Sequence, residues 1–500
     1  MKIGFICDMH LPADRTSPQY AFLEQGINAL KKDNISTVIN LGDISTCGEI
    51  EAFKLYFSVV SDLEEHTLIG NSDVRDAKTR DAIENSANGF VLKVGGRKIV
   101  GINTPYARIK QSERPLLEEL ENGDLLVLHH APKSLNEESR AYLEDILNSK
   151  KITVIHGHSH YATDYTLGSS HIIGLRAIDP DKSIGDFPCV TYFDITDDQI
   201  AYSEKVIEIG KGAIFDILKH FGLSCADNLK DIRFAIDNNV KYIELRCANS
   251  YNCIEDGVVE LVNEWRKKTN GYLSIHFPNV YCDENGFRGE EAVESALHFA
   301  NLLKVDGITI HPPKTQVAYM QNAEIKSRLI KLYAHIAESV ADNVKIGIEN
   351  LHLGENENTD NRNFGYTPEE VSVFLDEINK ALNKKGRVGH LLDVGHARNN
   401  GAFSQKYPVG RWYCLIGKKI VAYHLHQVVR IEGKLKNHQP IEDWFGPMIS
   451  FASFFYSWEN GILNHAPVFL EVRGYVNFQK SIDAFKKTFE NNYYCISDVF

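Results

Sequence analysis

Short apolar runs alternate with polar stretches of helical period over about the first 205 residues of the chain. Each run contains four to six apolar-rich residues and ends in a polar or glycine-containing turn, as strands buried in a layered α/β sheet do. A last pair of runs, HIIGLRAI and CVTYFDITDDQIAYSEKVIEI, with Asp197 and Asp198 at its turn, resembles a closing hairpin. We expect functional side chains at the carboxyl ends of these strands. The earlier strands are predicted in KIGFICD, STVINLGD, HTLIGNSD, KIVGINTP, DLLVLHH and ITVIHGHSH.

From about residue 213 apolar runs and helical stretches still alternate, but successive apolar runs lie further apart along the chain. The interval is 32 residues from Glu244 to His276, 35 from His276 to His311, 38 from His311 to Glu349 and 44 from Glu349 to Asp393. These lengths match strand–helix units with some loop insertion, and eight such units in some 290 residues predict a (β/α)8 TIM barrel. The eight strands are predicted in FDILKHFGLS, KYIELR, YLSIHFP, GITIHPP, VKIGIENL, VGHLLDVGH, VAYHLHQ and PVFLEVRG.

Gly210 and Gly212 predict the boundary, so we expect a first domain over residues 1–208 and a barrel domain over 213–500. The 54 Lys and Arg against 67 Asp and Glu give a net charge of −13, which repels polyanions and disfavours a protein that coats nucleic acid. Nine cysteines are scattered without a CxxC pair, and the chain opens without an export signal. No stretch approaches 18 uninterrupted apolar residues, so we expect a soluble cytoplasmic protein without a membrane partner.

Oxygen and imidazole donors follow successive strands of the first domain. They are Asp8 and His10 in DMH, Asp43 in GD, Asn71 in GNSD, His129 in LHHAP, and His158 with His160 in GHSH. This mixture of donors suits divalent Mn, Fe or Zn better than soft Cu(I). Two such ions about 3.5–4 Å apart can clamp a phosphate and activate a water, and they need a carboxylate between them.

The order DxH, GD, GN, H, GHxH resembles the calcineurin-like metallophosphoesterase superfamily, over roughly residues 1 to 200. The resemblance implies an αββα sandwich with two ions and a metal-bound hydroxide that attacks phosphorus. It assigns Asp8, His10 and His160 to one ion, Asn71, His129 and His158 to the other, and Asp43 to both.

The residue after Asn71 departs from this family, which has a histidine where Ser72 stands. That histidine contacts the phosphoryl group, so we expect a slower reaction or a narrower substrate range unless His10, His130 or a carboxylate such as Asp73 substitutes. The expected catalytic residues are therefore Asp43, Asn71, His130 and Asp73. His130 has three further interpretations: it replaces His129 as a ligand, it contacts the metal ligands without binding the ion, or it faces solvent.

Every predicted barrel strand from the third onward ends in a side chain that can bind a metal. Acids buried on adjacent strands would repel each other and are costly to desolvate, and cations between them are the simplest compensation. The sequence therefore predicts a metal site in the barrel. The donors are His276, His311, Glu349, Asp393, His396, His424 and Glu471.

This half of the chain resembles the xylose isomerase-like barrel superfamily, which includes sugar isomerases, epimerases and endonuclease IV. The isomerases need one ion, here on Glu349, Asp393, His424 and Glu471. The endonuclease IV pattern adds His276 and His311 for a second ion, and His396 with an Asp-x-His pair for a third. That pair reads Lys436-Asn437-His438 here, so Lys436 replaces the carboxylate and either weakens the third site or anchors a phosphate. We expect one to three Zn or Mn ions.

Other polar residues near these strand ends have less specific interpretations. Glu244 either lines the substrate pocket or forms a salt bridge with Arg246 or another arginine. Histidines outside both ligand patterns are expected to contact ligands or to lie at the surface; these are His352, His390, His426 and His465.

The predicted protein is thus a metal-dependent hydrolase that acts on phosphoester bonds. The leading hypothesis is a phosphodiesterase or nuclease whose substrate is a nucleotide, another phosphorylated small molecule or nucleic acid. A second hypothesis is a bifunctional sugar-phosphate enzyme, in which the barrel isomerises or epimerises and the first domain removes phosphate. In a third, one domain is an inactive scaffold, and Ser72 and Lys436 mark the lost function. The sequence carries no signal for the oligomeric state.

Overall fold

The computed structural model describes residues 1–247, 256–354, 357–384 and 386–489. The chain divides into two compact units. The first contains Met1–Ile209 with Phe445–Ser453, and the second contains Gly210–Trp444 with Phe454–Phe500. Among the described helices, none has both the length and the apolarity needed to cross a membrane.

The first unit contains two sheets flanked by helices. Its strands are β1 (Lys2–Ile6), β2 (Thr37–Asn40), β3 (Glu64–Thr67), β4 (Phe90–Val94), β5 (Arg97–Ile102), β6 (Leu125–Leu128), β7 (Thr153–His156), β8 (Thr163–Leu167), β9 (Ser170–Gly174), β10 (Cys189–Ile195) and β11 (Ile200–Val206). Its helices are α1 (Pro18–Lys32), α2 (Ile50–Val60), α3 (Arg80–Ser86), α4 (Arg114–Glu118) and α5 (Glu137–Ser149). Short 3-10 turns lie at Gln111–Glu113 and Pro132–Ser134.

The two sheets face each other. One has the order β11-β10-β1-β2-β3 and the other β4-β5-β6-β7-β9-β8. Apolar side chains from both, such as Phe5 on β1 and Val127 on β6, form one buried cluster. Leu143 of α5 packs with Val154 on the outer side of the second sheet. Helix α1 approaches the first sheet so closely that a β-carbon on Gly4 would lie 2.6 Å from its side chains. The predicted αββα sandwich is confirmed. The turn at Asp197 and Asp198 joins β10 and β11 in an antiparallel hairpin, whereas HIIGLRAI contributes β9 to the other sheet.

The second unit is built on a barrel. Its strands are β12 (Phe221–Ser224), β13 (Tyr242–Arg246), β14 (Tyr272–His276), β15 (Tyr281–Asp283), β16 (Gly286–Arg288), β17 (Gly307–Ile310), β18 (Lys345–Glu349), β19 (Val388–Asp393), β20 (Ile420–Leu425), β21 (Gln427–Ile431), β22 (Lys434–Gln439) and β23 (Val468–Leu470). The helices from Gly210 onward are α6 (Ile214–Lys219), α7 (Asn228–Asp237), α8 (Val258–Thr269), α9 (Glu290–Leu303), α10 (Val317–Met320), α11 (Ala323–Glu338), α12 (Pro368–Ala381), α13 (Val394–Arg398), α14 (Phe403–Lys406), α15 (Val409–Ile416), α16 (Ala452–Glu459) and α17 (Tyr475–Phe489). Further 3-10 turns lie at Lys211–Ala213 and Gly417–Lys419.

Strands β12-β13-β14-β17-β18-β19-β20-β23 close into a barrel, and each neighbouring pair is parallel. The predicted TIM barrel is confirmed. Each predicted segment contains a barrel strand, but in FDILKHFGLS only Phe221–Ser224 is a strand, and the residues before His220 belong to helix α6. The small hairpins β15–β16 and β21–β22 were not predicted, because they interrupt the strand–helix alternation.

Side chains two residues apart on a strand point to the same face, so inside the barrel a layer of polar side chains lies next to a layer of apolar ones. Leu391, Ala422 and Phe469 form a buried apolar cluster. The residue two positions after each of them is a donor, and these three donors are Asp393, His424 and Glu471. The barrel strands therefore place carboxylates and imidazoles together at their carboxyl ends.

Candidate metal centres

The predicted ligands of the first unit lie within four residues of the carboxyl ends of β1, β2, β3, β6 and β7. Five of them adopt a left-handed backbone: φ is 53° at Asp8, 43° at His10, 56° at Asp43, 65° at His158 and 65° at His160. Residues other than glycine rarely adopt this conformation, and such strain collects at functional sites. The loops are thus held in a costly conformation that turns these side chains towards one another.

The first donor group contains Asp8, His10, Asp43 and His160, whose ligand atoms lie within 4.8 Å of one another. Nε2 of His10 is 3.1 Å from Oδ2 of Asp43, and Nε2 of His160 is 3.7 Å from Oδ1 of Asp8. Burial lowers the pKa of His10 to about 4, so its ring is neutral near pH 7. Burial raises the pKa of Asp8 to about 6.

The second donor group contains His129 and His158, with the carboxamide of Asn71 between them. Nδ1 of His129 donates to the carbonyl oxygen of Leu41 at 3.0 Å, which leaves the lone pair on Nε2 facing the group. One terminal atom of the Asn71 carboxamide lies 2.9 Å from Nδ1 of His158 and 3.2 Å from Nε2 of His129. With nitrogen there, the amide donates to both rings. With oxygen there, three lone-pair donors converge, which is the arrangement a cation requires.

Asp43 lies between the two groups. Its Oδ2 faces His10, while its Oδ1 lies 3.5 Å from Nε2 of His129 and accepts from the backbone N–H of Ser72 at 2.8 Å. Burial alone would raise the pKa of Asp43, but the neighbouring histidines outweigh it and hold the pKa well below its usual value. Asp43 is therefore an ionised carboxylate with one oxygen for each donor group.

The two residues after Asn71 are buried and do not reach outward. Oδ1 of Asp73 accepts from the backbone N–H of Ser45, and its Oδ2 accepts from those of Asp43 and Gly70, each at 2.9 Å. The oxygens of Asp73 thus hold together the loops after β2 and β3, and its expected catalytic role stays a prediction. The hydroxyl of Ser72 is also buried and has no hydrogen-bond partner in the described ranges.

His130 is buried, which excludes the solvent-facing interpretation. Its ring centroid lies 4.2 Å from that of His158 and 4.9 Å from that of His129, and the three histidines form one donor group. Burial, reinforced by the charges of these rings, lowers the pKa of His130 to about 3. The imidazole is therefore neutral at pH 7.

Asp179 is a site residue that the sequence reasoning missed. Its Oδ2 lies 3.4 Å from Nδ1 of His10, and its backbone N–H donates to the carbonyl oxygen of Asp8 at 3.1 Å. The signal was present in the DPDKS run that follows β9. A carboxylate on the far nitrogen of a metal-binding histidine orients the ring.

In the barrel, His276 and His311 converge on one oxygen of Glu349. Nε2 of each ring lies 3.2 Å from Oε2 of Glu349. Their Nδ1 atoms are engaged elsewhere, with the carbonyl oxygen of Phe277 at 3.1 Å and with Oδ1 of Asn279 at 2.6 Å. Both rings therefore present the Nε2 lone pair to the same point.

A second barrel group contains Glu349, Asp393, His424 and Glu471, all buried. Nδ1 of His424 lies 3.3 Å from Oε1 of Glu349 and 3.3 Å from Oε2 of Glu471. Burial alone would lower the pKa of His424, but Glu244 and Glu349 outweigh it and raise the pKa to about 10. Without a cation, a proton on His424 therefore compensates part of this negative charge.

Glu244 does not form the expected salt bridge with Arg246. It is fully buried, and its Oε2 lies 2.7 Å from Nε2 of His424. Arg246 pairs with Glu471 instead. Glu244 therefore contacts the ring nitrogen of His424 that faces away from the second barrel group, and its expected place at the substrate pocket stays a prediction.

A third barrel group contains Asp393, His396, His426 and His438. His426 was expected outside the ligand patterns, yet it is fully buried within this group. The side chain of Lys436 is exposed and forms no hydrogen bond or ion pair among the described residues. Its ammonium is therefore not held against the donors.

The other histidines lie outside the donor groups. Nε2 of His352 accepts from Nδ2 of Asn437 at 3.0 Å. His390 is fully buried beside Trp412, with which its ring is stacked. His465 is half-exposed and stacks on Trp458 at 4.6 Å.

Comparisons with known proteins agree with this two-part arrangement. A sequence profile described as "Calcineurin-like phosphoesterase superfamily domain" matches residues 1–180. A profile described as "Xylose isomerase-like TIM barrel" matches residues 232–486, just over half of the 500 residues. No curated protein matches the chain.

Several solved structures are similar to part of the chain. A D-tagatose 3-epimerase-like protein is 19% identical, with 54% of this chain and 97% of that chain covered and a TM-score of 0.41. Endonuclease IV from Thermus thermophilus is 16% identical, with 54% and 99% covered and a TM-score of 0.40. Vps29 from Entamoeba histolytica, complexed with zinc, is 20% identical, with 41% and 91% covered and a TM-score of 0.25. Members of both matched families are typically enzymes, and both families typically bind divalent metals. The chain belongs to the xylose isomerase-like TIM barrel family and carries a calcineurin-like phosphoesterase domain in its first 180 residues.

Proposed function

We propose that the chain is a metal-dependent phosphodiesterase that hydrolyses a phosphodiester of a nucleotide or a nucleic acid. The observation that carries the proposal is the position of Asp43, whose Oδ2 is 3.1 Å from His10 and whose Oδ1 is 3.5 Å from His129. Two cations close enough to act on one phosphate repel each other, and a shared carboxylate reduces that repulsion.

The residues present fit such a pair of ions. Asp8, His10 and His160 would hold one, and Asn71, His129 and His158 the other, with Asp43 between them. Two divalent cations bound there would polarise a phosphoryl oxygen and activate a water. The chain itself supplies neutral rings, since burial lowers the pKa of both His10 and His158 to about 4.

Cationic side chains near this centre favour an anionic substrate despite the overall charge of −13. After burial, the charge of Lys182 is the next cause of the lowered pKa of His10, and Arg75 also contributes. Nη2 of Arg75 lies 3.2 Å from the carboxamide of Asn71, and Nζ of Lys182 lies 3.8 Å from Asp179, the partner of His10. This guanidinium and this ammonium would bind phosphate oxygens.

We assign His130 to the role that the family histidine, replaced here by Ser72, would fill. Its ring is in contact distance of His158 and is neutral, since burial lowers its pKa to about 3. A neutral imidazole can donate a hydrogen bond to a phosphoryl or leaving-group oxygen, but it brings no extra proton at pH 7. We therefore expect slow cleavage and a preference for substrates with good leaving groups, which need no proton to depart.

The barrel supports phosphodiester chemistry through its number of donors. An isomerase or epimerase of this type needs only Glu349, Asp393, His424 and Glu471. His276 and His311 add a second set on Oε2 of Glu349. Their presence favours a site with several ions, which suits transfer at phosphorus better than isomerisation.

A sugar-phosphate enzyme is the second candidate. The complete single-ion set in the barrel and the net charge of −13 favour it, because a small sugar phosphate is repelled less than a polymer. In this alternative the barrel interconverts the sugar and the amino-terminal centre removes the phosphate.

One set of assays separates the candidates. The full chain is loaded with Mn²⁺ and offered an aryl phosphodiester, duplex DNA with and without abasic sites, and a panel of sugar phosphates. The variants are Asp43→Asn and Asp393→Asn. The control is Asp124→Asn, an equally buried aspartate that accepts only backbone N–H groups, from Lys98 and Glu121.

Loss of diester cleavage in Asp43→Asn, with activity retained in Asp124→Asn, supports the proposal. Polymer cleavage abolished by Asp393→Asn supports a nuclease. Sugar interconversion that persists in Asp43→Asn without phosphate release supports the alternative. Absence of diester cleavage in the manganese-loaded wild type contradicts the proposal.

A further inference from the structure

The third barrel group has an unexpected composition. It joins Asp393 at the end of β19, His396 in α13, His426 directly after β20, and His438 in β22, with ligand atoms within 4.8 Å of one another. Position 436, where a carboxylate would complete this group by resemblance, holds an exposed lysine. His426 is the additional donor, and neither ligand pattern includes it.

The side-chain donor atoms in this group are close to one another, and some also have partners outside it. Nδ1 of His396 donates to the carbonyl oxygen of Asn350 at 3.1 Å, and Nδ1 of His438 lies 3.1 Å from Oε2 of Glu471. Nε2 of His426 lies 3.1 Å from Oδ1 of Asp393, and Nδ1 of His396 lies 3.2 Å from Oδ2. Within the described residues, Nε2 of His426, Oδ2 of Asp393 and Nδ1 of His438 lack a partner with hydrogen-bond geometry. Buried polar atoms without partners are unfavourable, and a shared cation would satisfy all three.

The ring of His426 is oriented to offer a lone pair. Its Nδ1 lies 3.0 Å from the carbonyl oxygen of Gln427. The backbone N–H of His438 also points at Nδ1, at 3.0 Å, so Nδ1 can either donate to Gln427 or accept from His438. When Nδ1 donates, as the other ring N–H of metal-binding histidines typically does, Nε2 is unprotonated and directed at Asp393. His276 has the same arrangement with the carbonyl oxygen of Phe277 at 3.1 Å.

Two features of the backbone hold the group together. A β-carbon on Gly395 would lie 1.9 Å from Cε1 of His426, so the ring rests directly on α13, between Asp393 and His396. His438 adopts a left-handed backbone with φ of 58°, and its N–H lies 3.0 Å from Nδ1 of His426.

We propose that His426 is a ligand of a third divalent cation, and that with Asp393, His396 and His438 it forms a centre of three imidazoles and one carboxylate. An imidazole thereby replaces the carboxylate absent at position 436. Three nitrogens and one oxygen are a donor set that Zn²⁺ binds tetrahedrally, with neighbouring ligand atoms about 3.3–3.5 Å apart for bonds of about 2.0–2.1 Å. The proposal concerns cation binding alone and does not depend on the proposed reaction.

The first test measures metal content. The full chain and its variants are saturated with Zn²⁺, dialysed to a fixed free zinc concentration and analysed by mass spectrometry. We expect His426→Gln to hold one equivalent fewer per chain than the wild type. His390→Gln changes an equally buried histidine of β19 outside the groups, and Lys436→Ala removes the exposed ammonium. Both should keep the wild-type content.

The second test locates the ion in the wild type and so does not depend on a variant that folds. Anomalous diffraction from crystals grown with Zn²⁺ should give a peak within about 2.3 Å of Nε2 of His426. Unchanged zinc content in folded His426→Gln overturns the proposal. So does a third peak bonded to His396 and His438 but not to His426, or no peak in this group. None of these outcomes bears on diester cleavage, so the two proposals fail separately.

Discussion

Replacing Gly395 with alanine tests directly how His426 is held. The added β-carbon would lie 1.9 Å from Cε1 of His426, whereas ordinary contacts begin at 3.4 Å. The ring must therefore move by about 1.5 Å, and ligands tolerate displacements of only about 0.2 Å from ideal metal distances. We expect Gly395→Ala to lose the third zinc ion while the other donor groups keep theirs.

The cost in stability should be small. Gly395 lies in α13 with a backbone that alanine can adopt, and alanine favours a helix over glycine by about 1 kcal/mol. Crowding of the ring costs about 1–3 kcal/mol, so the two effects partly cancel. Thermal unfolding should therefore change little, and the metal content should fall by one equivalent per chain.

A second glycine provides the control. A β-carbon on Gly389 would lie 2.4 Å from Cγ1 of Val421, which is also crowded but involves no donor. Gly389→Ala should lower the unfolding temperature and leave the zinc content unchanged. If folded Gly395→Ala binds as much zinc as the wild type at the same free concentration, our reasoning about His426 is refuted.

Three further predictions test other contacts. Asp73→Ala leaves three buried backbone N–H groups without their acceptor, and each unsatisfied group costs about 1–3 kcal/mol. The free energy of unfolding, measured by denaturant titration, should therefore fall by about 3 kcal/mol or more. A fall below about 0.5 kcal/mol would contradict these hydrogen bonds. Burial raises the pKa of Glu65 from 4.5 to about 7, so its stabilising contribution is present below pH 4.5 and lost as the pH rises through 7. The stability of Glu65→Gln should therefore equal that of the wild type at pH 4. At pH 8 the variant should be more stable by about 1 kcal/mol, a value reduced to allow for the partial exposure of the side chain. Calorimetry at both pH values measures this, and a stability gain at pH 4 alone would contradict the prediction. Glu244→Gln removes the largest contribution that raises the pKa of His424, so NMR titration of the metal-free variant should give a His424 pKa below about 10. Ser274→Ala removes only a hydrogen bond to Oε1 of Glu244 and should leave the pKa of His424 unchanged. Equal His424 pKa values in the wild type and both variants would show that Glu244 does not act on His424.

Most of the fold could be predicted because the apolar runs reveal it. Buried strands of a parallel barrel read as continuous apolar segments, so the eight barrel strands were recognisable even where a strand is as short as Val468–Leu470. The metal-binding donors could be predicted from the positions of these strands, because parallel strands bring their carboxyl ends to one edge of the barrel. The short hairpin β21–β22 lacks such a run and was not predicted.

The roles of individual donors were harder to predict, because a residue type does not reveal what its atoms already contact. Asp73 and Glu244 are carboxylates of the kind found in metal sites. The oxygens of Asp73 accept hydrogen bonds from backbone N–H groups, and Oε2 of Glu244 contacts His424. His426 could have been found, because it stands two residues after His424 and a strand period of two puts both on one face. The structure ends β20 at Leu425, and His426 lies directly after the strand, still close to the donors.

The barrel argues against an inert scaffold. Glu244, Glu349, Asp393 and Glu471 are all buried, and the guanidinium that pairs with them is that of Arg246 on Glu471. Without cations, the remaining charge must be compensated by protons, and the raised pKa of His424 reflects that compensation. A scaffold would be more stable with apolar residues here, since buried charges rarely repay their desolvation. These buried acids, whose charge Arg246 and a protonated His424 compensate only in part, favour bound cations, even though Lys436 replaces one expected ligand.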